Sequence, residues 1–118
     1  MTPAPSAPLP SAWTVLAQAL TERRTVRARY HGHERLLCPH VLGWKNGRRK
    51  VLAFQAGGTT GSGTLPARRD QRWRSLFVDD IEAAVIAPDH QWETADNYSS
   101  QSNCVDEIAL EVSLAQTD

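Results

Sequence analysis

Three arginines are the residues whose type and spacing best suit them to bind a ligand. Arg35, Arg72 and Arg74 fall on neighbouring predicted strands, and Arg72 and Arg74 share one strand face by the two-residue period. A guanidinium group forms paired, charge-assisted hydrogen bonds with a phosphate or a carboxylate. The three residues therefore predict one anion-binding site. The alternative is that they are solvated, or paired with Asp79, Glu82 or the acidic C-terminal segment.

Two further residues, Tyr30 and His40, are suited to contacting a nucleobase by stacking or hydrogen bonding. Tyr30 also fits a second interpretation, a core residue whose hydroxyl group is satisfied inside the protein. The basic residues of this region are interleaved with aromatic ones, a combination that suits single-stranded nucleic acid. These aromatic residues are Trp44, Phe54 and Trp73.

The charged residues are distributed unevenly along the chain. All thirteen Lys and Arg residues lie between Arg23 and Arg74, a span that contains only two acidic residues, Glu34 and Asp70. The span has a formal charge of about +11, and the eleven other acidic residues bring the net charge to zero. This polarity favours either a positive surface that attracts an anion or an acidic C-terminal segment folded over the basic span. A net charge near zero is not typical of a dedicated, sequence-indifferent binder of nucleic acid.

No combination of residues matches a catalytic pattern. The loop Gly57–Gly63 lacks the Gly-Lys-Ser/Thr ending and the following helix of a phosphate-binding loop. Ser75, His40 and Asp79 are the residue types of a hydrolase triad, but no strand-turn-helix elbow surrounds the serine. We therefore predict that the protein is not an enzyme and uses no cofactor.

A zinc site is an alternative use of the histidines, because His31 and His33 face Cys38 and His40 across a predicted hairpin. Neither pair has the spacing of a structural zinc site. Cys38 and Cys104 are too few for a disulfide scaffold, so we expect two reduced thiols. The sequence therefore predicts no bound metal.

The length of 118 residues fits one domain. Residues 1–10 alternate Pro with small residues and predict a disordered, extended tail, which leaves residues 11–118 as the domain. No apolar run approaches the roughly 20 residues that a membrane-spanning helix needs. The N-terminus has neither a basic start nor a long apolar stretch, so we expect a cytoplasmic protein without membrane contact.

Hydrophobic periodicity predicts one helix followed by five strands. Ser11 can cap a helix over residues 12–22, whose apolar face contains Trp13, Leu16, Ala17 and Leu20. The strands are predicted over residues 25–30, 35–44, 51–55, 72–78 and 81–87, with a long glycine-rich loop over residues 56–71. The apolar run Val51–Phe54 predicts burial on both sides, and Pro39 predicts an edge or a bulge.

This pattern predicts a mainly β fold, a small five-stranded barrel of the SH3 or Sm type with a short N-terminal helix and a C-terminal helix. The first turn of the C-terminal helix contains Asp106 and Glu107, which are favourable near a helix N-terminus. Its apolar residues are Val105, Ile108, Leu110, Val112 and Leu114.

Several short motifs occur in a recognisable order along the chain. They are Tyr30, Arg35 followed by Pro39-His40, Gly43, the strand Val51–Gln55 with its Gly57-Gly58 turn, Trp73-Arg74-Ser75, and Val78-Asp79-Asp80-Ile81. Over roughly residues 12–115 this order resembles the WYL domain, and more closely the small stand-alone WYL-like proteins of bacteria. The chain departs from that family at two places. The tripeptide that names the family falls on Arg49-Lys50-Val51, and Asp80 stands where an arginine is expected.

The resemblance implies an Sm-like β-barrel that senses a ligand, in bacterial transcription regulators or in proteins linked to phage defence. The implied ligand is a nucleotide or nucleic acid, held by Tyr30, Arg35, His40 and Arg74. We therefore expect a regulatory module that binds a nucleotide or single-stranded nucleic acid and acts through a partner or an oligomer. The alternative is a protein–protein or self-association module without a small ligand, such as a homodimer. It would use the terminal helices with Trp92 and Tyr98.

Overall fold

The computed structural model describes residues 11–61, 63–95 and 105–112, which form a small, mainly β fold with one α-helix. The predicted disordered tail, residues 1–10, lies outside the described residues, as do Tyr98 and Cys104. The elements are helix α1 (Ala12–Glu22) and strands β1 (Arg24–Tyr30), β2 (His33–Lys45), β3 (Arg48–Thr60), β4 (Gly63–Thr64), β5 (Trp73–Phe77), β6 (Ile81–Gln91) and β7 (Glu107–Glu111).

Helix α1 confirms the helix predicted over residues 12–22. The Ser11 hydroxyl accepts a hydrogen bond from the backbone N–H of Thr14 at 3.2 Å, which caps the first turn. The helix ends at Glu22, and the residue that follows, Arg23, caps it with a φ of 55° in the left-handed region. The buried face differs slightly from the predicted one and contains Val15, Leu16, Ala19 and Leu20. This face packs on the sheet.

The strands form an antiparallel sheet with the order β4-β3-β2-β1-β6, while β5 pairs with β3 and β7 pairs with β2. Two-residue turns at His31-Gly32 (φ 50° and 82°) and Asn46-Gly47 (φ 51° and 79°) join the first three strands. Positive φ at both central residues is what the favoured hairpin turns require. Both predicted turns are therefore confirmed.

Strand β3 is buried on both faces, as its apolar run predicted. Val51 and Ala53 belong to the main core together with helix α1. Phe54 packs on the opposite face with Cys38 and Ala95, and Leu52 packs with Val41. The sheet therefore separates two apolar layers, and β3 lies between them.

The prediction of a C-terminal helix is wrong, because residues 107–111 form strand β7. Strand β1 pairs only with the first part of β2, as far as Leu37, and β7 pairs with the remaining edge from Val41 to Trp44. Gly43 permits the close approach, since a Cβ atom at this position would collide with the backbone oxygen of Glu107. Unpaired backbone groups of β2 thus determine the conformation of this segment.

The structure describes seven strands where five were predicted, and the path of the sheet is open. Strand β3 extends to Thr60, into the segment predicted as a loop, and β6 continues past Pro88 to Gln91. Among the described residues β6 pairs only with β1, which explains why a proline is tolerated there. The described part of the chain contains no helix that is long and apolar enough to cross a membrane.

Candidate anion-binding site

Gln55 is the centre of a hydrogen-bonded group at the end of the apolar part of β3. Its side chain is completely buried. The amide nitrogen Nε2 donates to the backbone oxygens of Gly57 (2.9 Å) and Thr59 (3.1 Å). The amide oxygen Oε1 accepts from Arg74 Nε (3.1 Å) and Arg35 Nη1 (3.4 Å). One side chain therefore orients two guanidinium groups and the last residues of β3.

Arg35 reaches Gln55 from β2 and is only 7% exposed. Its guanidinium carbon lies 5.2 Å from the centre of the Tyr30 ring, in a cation–π arrangement. Its Nε atom is buried and has no hydrogen-bond partner among the described residues. Burial lowers the pKa of Arg35, and the nearby charge of Arg74 lowers it further, while Tyr30 acts in the opposite direction.

Arg74 reaches the same amide oxygen from β5. Its Nη1 atom also donates to the backbone oxygens of Gln71 (3.2 Å) and Trp73 (3.1 Å), which fixes the plane of the guanidinium group. Burial lowers the pKa of Arg74. Arg35 and Arg74 thus form a partly desolvated pair of like charges, a high-energy arrangement that a bound anion would relieve.

No described carboxylate lies within ion-pair distance of Arg35, Arg72 or Arg74. Three acidic residues near the basic segment pair with other arginines. Asp79 binds Arg49 at 2.6 Å. Arg68 pairs with Asp70 at 2.6 Å, and Arg69 pairs with Glu93 at 2.9 Å. Within the described ranges, the alternative that Asp79 or Glu82 neutralises the predicted site therefore receives no support.

A cleft of about 420 Å³ opens beside the two guanidinium groups. Its volume falls within the range of about 300–1,000 Å³ that is usual for small-molecule sites. Arg35 also borders a smaller cavity of about 190 Å³, whose lining includes Arg27 and Glu34. The residues that line the larger cleft are Arg35, Thr60, Gly61, Thr64, Pro66 and Arg74.

The structure places Tyr30 in the core beneath the site. Its side chain is 6% exposed, and its hydroxyl oxygen accepts a hydrogen bond from the backbone N–H of Phe77 at 3.2 Å. The ring stacks on His31 with 4.0 Å between centroids. Tyr30 therefore supports Arg35 from below and does not line the cleft.

His40 is completely buried and lies apart from the cleft lining. Its Nδ1 atom is 2.7 Å from the backbone oxygen of Cys38, so this nitrogen donates, and Nε2 accepts from the Thr94 hydroxyl at 2.8 Å. The ring stacks on Trp92 at 4.4 Å and meets the edge of Trp73 at 4.7 Å. Burial lowers the pKa of His40 to about 4, so the ring is neutral at pH 7.

Arg72 is not a member of the cleft lining. It follows the 3₁₀ turn Arg69–Gln71 with φ −100° and ψ 12°, so the two-residue strand period does not extend back to it from Arg74. Its Nε atom donates to the backbone oxygen of Pro66 at 2.8 Å. Arg72 therefore supports the chain segment that forms one wall of the cleft.

The three aromatic residues considered for base stacking pack mainly inside the protein. Phe54 is completely buried and Trp73 packs against it and against His40. Trp44 packs against Trp13 at 5.5 Å between ring centres. None of the three lines the cleft.

The histidines of the hairpin bind other protein groups. His31 Nε2 lies 3.3 Å from an Asp80 carboxylate oxygen, and His33 Nδ1 lies 3.1 Å from the Thr59 hydroxyl. Within the described ranges, no three His, Cys, Asp or Glu side chains are grouped so that they could hold a metal ion.

Sequence reasoning did not include Gln55, Thr60 or Thr64 among the site residues. The available signal was Gln55 itself, a polar residue that directly continues the apolar run Val51–Phe54. A buried polar side chain requires partners, and here they are the two arginines.

Comparisons of the chain with protein-family models, with curated proteins and with solved structures found no match.

Proposed function

We propose that this chain is a regulatory module that senses a phosphate-bearing ligand, a nucleotide or single-stranded nucleic acid, in the cleft beside Arg35 and Arg74. The observation that carries the proposal is the pair of partly buried guanidinium groups that share Gln55 Oε1 and have no described carboxylate within ion-pair distance. Guanidinium groups in this setting bind phosphate strongly because the donors are fixed before the ligand arrives. The proposal includes no catalytic step, metal or cofactor.

The proposed architecture is an SH3-like or Sm-like arrangement of the five longer strands that precede β7. The strand order β6-β1-β2-β3-β5 and the 3₁₀ turn Val78–Asp80 between β5 and β6 support it. The bacterial, cytoplasmic and regulatory setting of the proposal, in transcription control or phage defence, depends on the resemblance to the WYL domain alone. Of the residues that the resemblance implies, the proposed site retains Arg35 and Arg74, with Tyr30 as support.

The proposal is tested by calorimetry with AMP and with a short oligothymidylate, at low and at moderate salt. Arg35→Ala and Arg74→Ala should each abolish binding, and binding by the unchanged protein should weaken as salt rises, because phosphate contacts release counterions. Arg29→Ala is the matched control, since Arg29 is exposed on β1 and does not line the cleft. Equal binding by all variants would refute the site.

A self-association module is the second candidate function. The observation that favours it is the exposure of three large apolar side chains, Val85 (52%), Ile108 (47%) and Leu110 (37%). The contact predicted from the sequence requires revision, because β7 replaces the second terminal helix and Trp92 is half-buried with its Nε1 donating to the Pro39 oxygen. Size-exclusion chromatography with light scattering tests this candidate, and a dimer that ignores phosphate compounds would favour it.

A further inference from the structure

The cleft beside Arg35 and Arg74 carries two positive charges, and no described carboxylate lies within ion-pair distance of either. The group between them is Gln55, whose side chain is completely buried and whose oxygen accepts from both guanidinium groups. A carboxylate at this position would hold the same two donors and cancel one of their charges. An amide holds them and cancels none, so the charge of the pair remains available to a ligand.

The amide nitrogen of Gln55 explains why a neutral side chain is required here. Nε2 donates to the backbone oxygens of Gly57 and Thr59, at 2.9 Å and 3.1 Å. A carboxylate could not donate to either carbonyl, and its second oxygen would face both of them. The Gln55 side chain therefore shapes the start of the cleft wall and leaves the positive charges of Arg35 and Arg74 uncancelled.

We infer that the cleft selects a phosphate monoester, which carries two negative charges, over a phosphodiester, which carries one. The inference rests on the proposed function and specifies its ligand. A monoester dianion matches both guanidinium charges, whereas a diester leaves one charge partly buried and uncompensated. An uncompensated buried charge is strongly unfavourable.

The buried Arg35 Nε atom is a further donor that the described residues leave unsatisfied. It has no hydrogen-bond partner among the described residues, although Arg35 is only 7% exposed. A buried donor without a partner is unfavourable. A monoester offers three terminal oxygens to the donors of the cleft, and a diester offers two. The terminal phosphate can belong to a mononucleotide, to the end of an oligonucleotide or to another phosphorylated compound.

AMP and cyclic AMP form a matched pair of probes, because they share base and sugar and differ in having a monoester or a diester. Calorimetry at about pH 8, above the second pKa of about 6 of a monoester, keeps AMP fully dianionic. We expect the unchanged protein to bind AMP at least about tenfold more tightly than cyclic AMP. Arg74→Gln should reduce this ratio to about threefold or less, while Arg29→Gln, the exposed control, should preserve it.

Gln55→Glu tests the role of the amide. It should weaken AMP binding at least about tenfold, because the new carboxylate takes the place of one ligand charge. Circular dichroism establishes whether this variant folds. If it does not fold, the ratio of AMP to cyclic AMP affinity in Arg74→Gln remains the test of the inference. A folded Gln55→Glu protein that binds AMP normally would refute the role of Gln55.

The outcomes separate the inference from the proposed function. Equal affinity for AMP and cyclic AMP, both lost in Arg74→Ala, would refute the inference and leave the proposed function intact. Inorganic phosphate binding as tightly as AMP would support dianion selection and contradict a nucleotide ligand. A 5′-phosphorylated oligothymidylate that binds more tightly than its unphosphorylated form would identify the end of a strand as the source. Failure of all these probes to bind would refute both proposals.

Discussion

Arg35 and Arg74 come from strands on opposite sides of β3 and donate to one shared oxygen atom, at 3.4 Å and 3.1 Å. The two side chains are not neighbours in the sheet, since β2 and β5 each pair with β3. Their meeting point is therefore set by β3. It places two like charges together at a partly desolvated position, which has consequences for stability as well as for binding.

Replacing Arg35 by Met should not destabilise the protein. Arg74 still satisfies Gln55 Oε1 in this variant, and the repulsion between the two guanidinium groups disappears. We expect the free energy of unfolding in urea to stay within about 1 kcal/mol of the unchanged protein or to rise. Arg29→Met, at an exposed position, provides the baseline. A loss of more than about 2 kcal/mol would show that Arg35 has a structural role instead.

The burial of His40 should make the protein less stable in acid. The pKa of His40 is about 4 in the folded state, against an ordinary value of 6.5. The unfolded chain therefore binds more protons between these values, and the stability contributed by neutral His40 is complete above about pH 6.5 and is lost as the pH falls towards about 4. The full effect is about 3 kcal/mol.

Urea unfolding of the unchanged protein and of His40→Gln, at several pH values from about 7.5 down to about 4.5, measures this effect. Other groups titrate equally in the two proteins, so the difference between the two pH profiles isolates His40. The variant should lose less stability on acidification. Parallel profiles would mean that His40 is accessible to protons in the folded state.

Gly43→Ala should detach strand β7. The added methyl group would collide with the backbone oxygen of Glu107, and the adjacent bond from the Asp106 N–H to the Trp44 oxygen (2.7 Å) would be strained. We expect faster amide hydrogen exchange over residues 106–112 and a loss of about 1–3 kcal/mol. Gly61→Ala is the control, because a Cβ atom there meets open space. Unchanged exchange in Gly43→Ala would contradict the observed pairing.

Ala83→Gly should stabilise the bulge in β6. Ala83 has a φ of 55°, which is unfavourable for any residue with a Cβ atom, and it lies where the pairing with β1 shifts register. Glycine removes this strain at the cost of a more flexible unfolded chain. The same substitution at Ala84 brings no relief of strain and has that cost together with the loss of a methyl group packed against the core. Thermal unfolding should place Ala83→Gly about 1–2 kcal/mol above Ala84→Gly, and the reverse order would refute the strain.

Features with local causes could be predicted from the sequence. The Ser11 cap and the apolar spacing predicted helix α1, and His31-Gly32 and Asn46-Gly47 predicted the two turns. Pro39 predicted an irregularity, and the pairing of β2 with β3 shifts register between Pro39 and Val41. In each case, the residues that determine the conformation are close together in the sequence.

Features with distant causes could not be predicted in this way. The segment with Ile108 and Leu110 suits a helix or a strand by its pattern, and the free edge of β2 decides the outcome. His40 is of a residue type that is common in binding sites, but its ring is enclosed by Trp73, Trp92 and Thr94. The charges of Arg35 and Arg74 predict an anion site, while their common partner Gln55 is set by the pairing of β2 and β5 with β3.

The shared oxygen of Gln55 also links the cleft to the order of folding. Arg35 and Arg74 meet only when β2, β3 and β5 have all assembled, so partly folded chains that lack β5 contain no complete site. A ligand of the cleft would therefore stabilise the native state and slow its unfolding, while the rate of refolding would stay the same.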